Sequence, residues 1–417
     1  MPPSSPNAPG SAADERRPWL LLFVAVCLVA VNLRMTITGV GPLLDQIGAD
    51  QGISTAVLGL LGSLVLLTWG LFSPLAHGVA ARIGMTNAVS WSLAVLAAGT
   101  VWRSLPGSPA NLWVGTAITG LGLAISNVLL PAVIKRDFPN RIPLVMGVYS
   151  ALLGGLGAVG AGIVVPISEF ESGGAPIGWR AALLATGALI PVALVVWMRA
   201  TRSNAPRRAV ASTEAGEPQG PGGDQAGRRI WGDPVAWLVS LYMGTQSTIF
   251  YVLAAWFPLY QVSLGVSAVA AGVGLMIFQF LGIAGSLLMP ALARGGLRRW
   301  LPALLPAFGT IAWAGLIVAP AALPAWIVIG GLTCGAQLTM SLTLMATRAR
   351  TSSHSTALSG MAQSVGYLIA GVGPAVFGWL LGTQGDWALA FTVLWAAAAV
   401  QFAVGVAVGR RRFVLDR

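Results

Sequence analysis

The sequence is poor in charge. Of its 417 residues only 9% are Asp, Glu, Lys or Arg, while 56% are hydrophobic. A soluble domain carries about 25% charged residues, and a packed water-soluble chain of this size cannot leave so little polar surface. The shortage excludes a soluble enzyme, a nucleic-acid-binding module and a disordered tail protein. Cysteine is scarce as well: Cys27 and Cys334 lie in apolar runs far apart, so no disulfide framework is indicated. A phosphate-binding Gly-Lys-Ser/Thr loop, a His/Cys/Asp metal cluster and a Ser-His-Asp set placed to act are all missing, which argues against ATP-driven pumping by this chain and against catalysis. No catalytic residue, metal or cofactor is expected.

What is abundant points to a bilayer. The 53 glycines suit closely packed helices and the 16 tryptophans suit interfacial anchors. A hydrocarbon core about 30 Å thick needs roughly 20 apolar residues per helix. Twelve runs meet that need, at 18–44, 53–77, 86–102, 110–134, 143–167, 178–200, 233–261, 266–291, 299–318, 324–347, 356–382 and 387–409. The run 86–102 is the shortest but carries no charge. Period-two alternation is absent, which argues against an outer-membrane barrel. Residues 1–17 are rich in Pro, Ser and Ala and read as a disordered cytoplasmic start. The run after them is too long for a signal peptide and lacks a small-residue cleavage site before Arg34, so it reads as a retained first span.

Basic residues set the orientation. With the N-terminus in the cytoplasm, 21 of the 24 Lys and Arg residues fall inside, Arg103 and Arg180 fall outside, and Arg34 lies within a span. The net charge of +11 therefore reads as an Arg-rich cytoplasmic face rather than a nucleic-acid surface. Outer loops carry acids: Asp45, Asp50, Glu169, Glu171 and Asp386. An even number of spans places both termini in the cytoplasm.

The polar, Gly- and Pro-rich stretch 201–230 reads as a flexible cytoplasmic linker. It separates a first half, 18–200, from a second, 231–409, with a short tail at 410–417. The halves echo each other at an offset of 213: Gly52-Ile53-Ser54 with Gly265-Val266-Ser267, Gly59 with Gly272, Lys135 with Arg348, Gly147 with Gly360 and Gly160 with Gly373. Pro42-Leu43 and Pro258-Leu259 close the first helix of each half at an offset of 216. The fold expected is an all-α integral membrane protein, twelve spans in two pseudo-symmetric six-helix halves. That is the major facilitator arrangement, in which substrate sits between the halves near mid-membrane.

Several stretches resemble the cyanate and 2-nitroimidazole porter family of that superfamily. They are Asn32-Leu33-Arg34 with Val40-Gly41-Pro42-Leu43-Leu44-Asp45, then Asn127-Val128-Leu129-Leu130-Pro131 through Lys135-Arg136-Asp137-Phe138-Pro139, and Leu358-Ser359-Gly360-Met361-Ala362-Gln363-Ser364-Val365-Gly366-Tyr367. The likeness runs over nearly the whole chain apart from the termini and linker. It implies alternating-access transport of a small anion or small heterocycle. The superfamily loop after the second span, usually Gly-x-Leu-Ala-Asp-Arg-x-Gly-Arg, reads here His77-Gly78-Val79-Ala80-Ala81-Arg82-Ile83-Gly84-Met85. Arg82 and Gly84 remain as gating candidates, but Ala81 replaces the Asp that would latch the gate.

Arg34 is the strongest single signal. It lies near mid-membrane, where a charge costs about 3 kcal/mol even on the lenient insertion scale. It should therefore face the cavity, and a planar guanidinium suits a carboxylate or other planar anion. The alternative is a structural arginine tied to carbonyls. No carboxylate shares its depth, which leaves its charge available. Asn32 and Thr38 flank it, with Thr38 on the same face, and Asn127 sits in the fourth span; a helix–helix hydrogen bond is the alternative reading of Asn127. In the second half Gln246, Tyr251, Gln279, Gln337, Gln363 and Tyr367 are binding candidates, with Trp69, Trp256 and Phe257 as candidate walls. Gly157 and Gly160 in the fifth span, and Gly373 and Pro374 in the eleventh, read as tight packing or as a hinge between halves, the two spans being expected to meet.

The function expected is therefore secondary active or facilitative transport of a small polar, anionic or planar substrate across the cytoplasmic membrane, by a monomer in the lipid bilayer. The alternatives are efflux of neutral heterocycles and a membrane sensor that binds without transporting. Proton coupling stays open beside uniport and anion exchange, because no Asp, Glu or His sits at the centre of a span.

Overall fold

The computed structural model describes residues 12–203, 229–293, 295–410 and 412–415. The start of the chain before Ala12 and residues 204–228 of the expected linker lie outside the described residues. Apolar runs this long leave the backbone no partner but itself inside a bilayer, so helix is the available answer. The first half contains α1 (Ala12–Thr38), α2 (Leu44–Gln51), α3 (Thr55–Phe72), α4 (Leu75–Ile83), α5 (Met85–Arg103), α6 (Ala110–Asp137), α7 (Ile142–Glu169), α8 (Gly178–Thr186) and α9 (Ile190–Ser203). The second contains α10 (Pro234–Ser263), α11 (Ala268–Leu292), α12 (Leu301–Val318), α13 (Leu323–Thr347), α14 (Ser352–Gln384) and α15 (Trp387–Val408). A hairpin of β1 (Glu171–Ser172) and β2 (Ala175–Pro176) is the strand pair among the described residues. Helix α1 starts earlier than the expected 18, and α9 runs past the expected end of the half at 200.

Eleven described segments are long and apolar enough to cross a bilayer. The twelfth expected run, 86–102, forms the 19-residue helix α5, whose polar Thr, Asn, Ser and Trp residues dilute its apolar character. Two spans are composite. Trp19–Gln51 joins α1, the 3-10 turn Gly41–Leu43 and α2, and Gly178–Arg202 joins α8 and α9.

Within the first half α1 packs on α7 and α9, α5 on α6, and α3 on α6. Within the second, α10 packs on α14 and α15, α11 on α13, and α12 on α13 and α15. The halves meet along α3–α14 and α7–α11. The expected meeting of the fifth and eleventh spans is thus corrected: span five faces span eight, and span eleven faces span two. Gly157 and Gly160 accordingly do not seal the halves but make room for α1, a Cβ at Gly160 falling 2.9 Å from Met35 Cγ. Gly154 and Gly162 of α7 instead face Ile283 and Met276 of α11.

The halves touch closely along the α3–α14 seam, a Cβ on Gly70 falling 2.5 Å from Leu368 Cγ, and again toward one face. A Cβ on Gly59 would lie 2.4 Å from Pro374 O, one on Gly382 2.5 Å from Ala56 N, and one on Gly41 2.0 Å from Ala254 O. All three glycines sit toward the end of the molecule that holds Asp45 and Gln384, the far face. At the opposite end Gly147 and Gly360 look onto open space. That end is the termini face: Val414 N donates to Arg348 O (2.8 Å) and Leu415 N to Asp233 Oδ2 (2.7 Å), tying the last described residues to the end of α13 and the start of α10.

Arg103 is not in an outer loop, as expected, but 1% exposed at the end of α5. The cause is the break in α1. Val40 N bonds to Ile37 O, which releases the Thr36 carbonyl from the helical ladder. Arg103 Nη1 donates to that carbonyl (2.9 Å) and Nη2 reaches Thr186 Oγ1 (3.4 Å). Gly115 lets α6 come close enough for this, since a Cβ there would lie 2.2 Å from Arg103 N. Trp179 is 4% exposed. Its Nε1 donates to Asp50, which also pairs with Arg180 at 2.9 Å.

Candidate functional site

Arg34 stands near the middle of the composite span Trp19–Gln51 and faces the second half. Its Nη1 donates to Tyr251 Oη of α10 at 2.7 Å, its one hydrogen-bond partner among the described residues. The two residues are 217 apart in sequence, close to the offset that relates the halves, so equivalent helices meet at equivalent depth. The guanidinium carbon lies 5.8 Å from the Trp69 ring centre and 5.9 Å from those of Phe250 and Tyr251. Trp69 meets Tyr367 edge-on at 5.0 Å, and Phe250 meets Tyr251 edge-on at the same distance. Tyr149 and Tyr367 stand close enough to interact electrostatically with Arg34. Three of the chain's five tyrosines therefore converge on one cation.

Asn127 of α6 joins this group. Tyr149 Oη lies 3.5 Å from Asn127 Oδ1, and Tyr367 lies beside the same amide. Gln279 of α11 comes up behind Arg34. A Cβ on Gly157 would sit 3.2 Å from Arg34 Cβ and 3.5 Å from Gln279 Oε1, so glycine lets the two side chains share that place. Gln279 is 8% exposed and its Nε2 is buried without a hydrogen-bond partner. No described carboxylate forms an ion pair with Arg34; the pairs found are Arg136–Asp137 and Arg180–Asp50. The site is thus one fixed positive charge, phenols and amides that donate or accept, and aromatic walls. Such a set can hold a flat anion or a flat polar ring by charge, hydrogen bonds and stacking.

The other expected binding residues lie elsewhere or, like Thr38 beside Arg34, are held in structural bonds. Asn32 is 1% exposed and its Nδ2 returns to Leu28 O of its own helix (2.7 Å). Thr38 Oγ1 donates to Gly157 O (2.6 Å) and so ties α1 to α7. Gln246 is buried and accepts from Ser247 (3.3 Å). Gln337 Nε2 donates to Leu305 O, binding α13 to α12 (3.2 Å), and Gln363 Nε2 donates to Ser359 Oγ (3.0 Å). Trp256 and Phe257 wall a different aromatic cluster: Trp256 Nε1 donates to Pro374 O (3.1 Å), and the ring stacks on Phe377. Gly373 packs against Thr248 and Val252, while Pro374 meets Gly59 across the halves.

Arg82 is exposed, with no hydrogen bond or ion pair among the described residues. Gly84 has φ +82° at the turn between α4 and α5, a conformation that favours glycine. Sequence reasoning passed over Tyr149 and Phe250. Tyr149 lies eight residues before Gly157, a helical spacing that puts both toward Arg34. Phe250 immediately precedes Tyr251.

Comparison with known proteins agrees with this architecture. The family model described as Major Facilitator Superfamily matches residues 22–371. The chain is 36% identical to a 2-nitroimidazole transporter of Escherichia coli (strain K12), covering 94% of this chain and 96% of the relative. It is 30% identical to a cyanate transport protein of the same organism, covering 88% and 92%. Among solved structures, a D-xylose-proton symporter superposes with a TM-score of 0.72 at 13% identity, covering 94% of this chain and 96% of that one. A bacterial homologue of the human lysosomal transporter Spinster gives 0.70 at 18% identity, with 96% and 95% covered. Both likenesses show the fold. The chain belongs to the major facilitator superfamily and is a multi-pass membrane transporter of small molecules, not an enzyme.

Proposed function

We propose that this transporter moves a small, planar, anionic or polar heterocyclic substrate, held at Arg34 between the two halves. The observation that carries the reading is Arg34 itself. It is a permanent mid-membrane cation, bonded to a phenol of the other half and to no carboxylate, within an aromatic ring of Trp69, Phe250 and Tyr251. Burying such a charge costs free energy, which an anion arriving at the site offsets. A cyanate-like ion or a nitro-substituted ring matches this chemistry, and the relatives named for 2-nitroimidazole and cyanate transport support the same class.

The distribution of arginine supports a cytoplasmic-membrane protein with the termini face in the cytoplasm. In alternating access the site between the halves opens to one face at a time. Rocking about the α3–α14 and α7–α11 seams would expose the site to the other side. One chain supplies both halves of the site, which supports a working monomer. A proton moving with the substrate is best carried on the substrate, since no Asp, Glu or His is described against Arg34.

The aromatic walls favour a second reading, export of neutral planar heterocycles, in which stacking rather than charge holds the ligand. Uptake into proteoliposomes separates the two. Cyanate or a small carboxylate should compete with labelled 2-nitroimidazole in the wild type, and Arg34→Gln should lose the anions first. Undiminished anion transport by Arg34→Gln would end the charge-based reading.

A further inference from the structure

The termini face of the second half carries a cavity of about 610 Å³ away from Arg34. It lies where the ends of α11, α12, α13 and α15 converge, and among the described residues its lining includes Arg298, Arg299, Arg348 and Arg410 but no acidic residue. Arg298, Arg299 and Arg410 are exposed, whereas Arg348 is held by Val408 O at 2.6 Å. Below the arginines the wall is apolar, formed by buried Leu344 and Met340 of α13. At its rim Arg299 stacks over the Trp300 ring at 5.0 Å, and that ring is 46% exposed. Trp300 immediately precedes α12, the depth at which tryptophan and arginine anchor a helix at a bilayer surface.

Nothing in the transport site uses these arginines. A like-charged cluster repels itself unless an anion joins it. A dissolved anion would need only the charges. The apolar wall and the half-exposed Trp300 ring at the rim suit a ligand that is anionic at one end and apolar at the other. Basic pockets between membrane helices on the cytoplasmic side bind anionic headgroups, each nearby Lys or Arg strengthening the attraction. We propose that this cavity holds the phosphate-bearing headgroup of an anionic phospholipid from the cytoplasmic leaflet. The inference rests on the orientation proposed above and not on the substrate assignment. Bound there, the lipid fastens the ends of four helices of the second half, the half that must move as a body during transport.

Native mass spectrometry of the purified full-length protein tests this. Phosphatidylglycerol should be retained in preference to phosphatidylcholine. The combined substitution of Arg298, Arg299 and Arg410 by Gln should weaken retention by about a hundredfold, from a factor of about five for each arginine. Thr343→Glu places a negative charge on the exposed lining residue Thr343 while keeping every arginine, and should give the same loss in a protein that folds normally. Arg136→Gln, at an exposed arginine of the first half, should leave retention unchanged. Equal retention of the two lipids, survival of phosphatidylglycerol binding in Thr343→Glu, or an equal loss in Arg136→Gln would overturn the proposal. Inorganic phosphate displacing phosphatidylglycerol at equal concentration would reassign the cavity to a soluble anion. These binding outcomes are read without transport, so a failure of the substrate reading would leave them standing.

Discussion

Arg34 and Arg103 are both arginines of the first half taken out of water, and neither pairs with a described carboxylate. Their surroundings differ. Arg103 lies between helices of its own half and is bonded to the Thr36 carbonyl that the break in α1 releases. Its charge is spent on closing a gap in the backbone ladder. Arg34 reaches across to the other half, bonds one phenol, and is otherwise faced by rings and amides. The contrast teaches that a buried membrane cation is not by itself a binding site. What separates the two is whether the partners are fixed carbonyls or groups that can be shared with a ligand.

Substitutions can break or sharpen this contrast. The largest effect is expected at Arg34→Gln, which removes a charged donor and should cut transport of an anionic substrate about a hundredfold, from about 3 kcal/mol for a charge-assisted bond. Its melting midpoint should stay near that of the wild type, because the bond lost, to the Tyr251 phenol, joins two halves that must part during transport. Arg103→Met should behave in the opposite way. It leaves the Thr36 carbonyl without a donor and should cost about 1–3 kcal/mol of stability in thermal unfolding. Transport per folded molecule should persist. Tyr251→Phe keeps the ring but removes the phenol that Arg34 meets, and should raise KM about tenfold. Gln337→Leu should change transport by less than about twofold, since its amide ties α13 to α12 within one half. A large transport defect in Gln337→Leu would mean that the site extends farther into the second half than the Arg34 cluster.

Most of the fold was legible because long apolar runs can only be spans, and the pairing of Arg34 with Tyr251 follows the internal repeat. The facing of individual side chains was less legible. In a bilayer both lipid and protein neighbours are apolar, so hydropathy does not mark the inward face of a helix as it does in water. For that reason Gln337 and Gln363 looked equivalent to Gln279, although only Gln279 comes up to Arg34. Tyr149 was passed over because its run offers no polar stripe. The break in α1 falls at Gly39-Val40-Gly41-Pro42, which read as the closing of the first helix and not as a point that frees a carbonyl, so the burial of Arg103 that depends on it was missed as well. The partner choice of α7 and α14 was also out of reach, because glycine-rich faces on both suit any close neighbour.

The central claim is that Arg34 holds the substrate rather than the fold. Ligand-induced thermal stabilisation of the purified protein tests it most directly, with wild type, Arg34→Gln and Arg103→Met measured against cyanate, nitrate, small carboxylates, nitroimidazoles and lipophilic cations. The account predicts stabilisation by a small planar anion or nitroimidazole in the wild type and in Arg103→Met, and none in Arg34→Gln. Stabilisation that survives in Arg34→Gln, or that is lost instead in Arg103→Met, would contradict it.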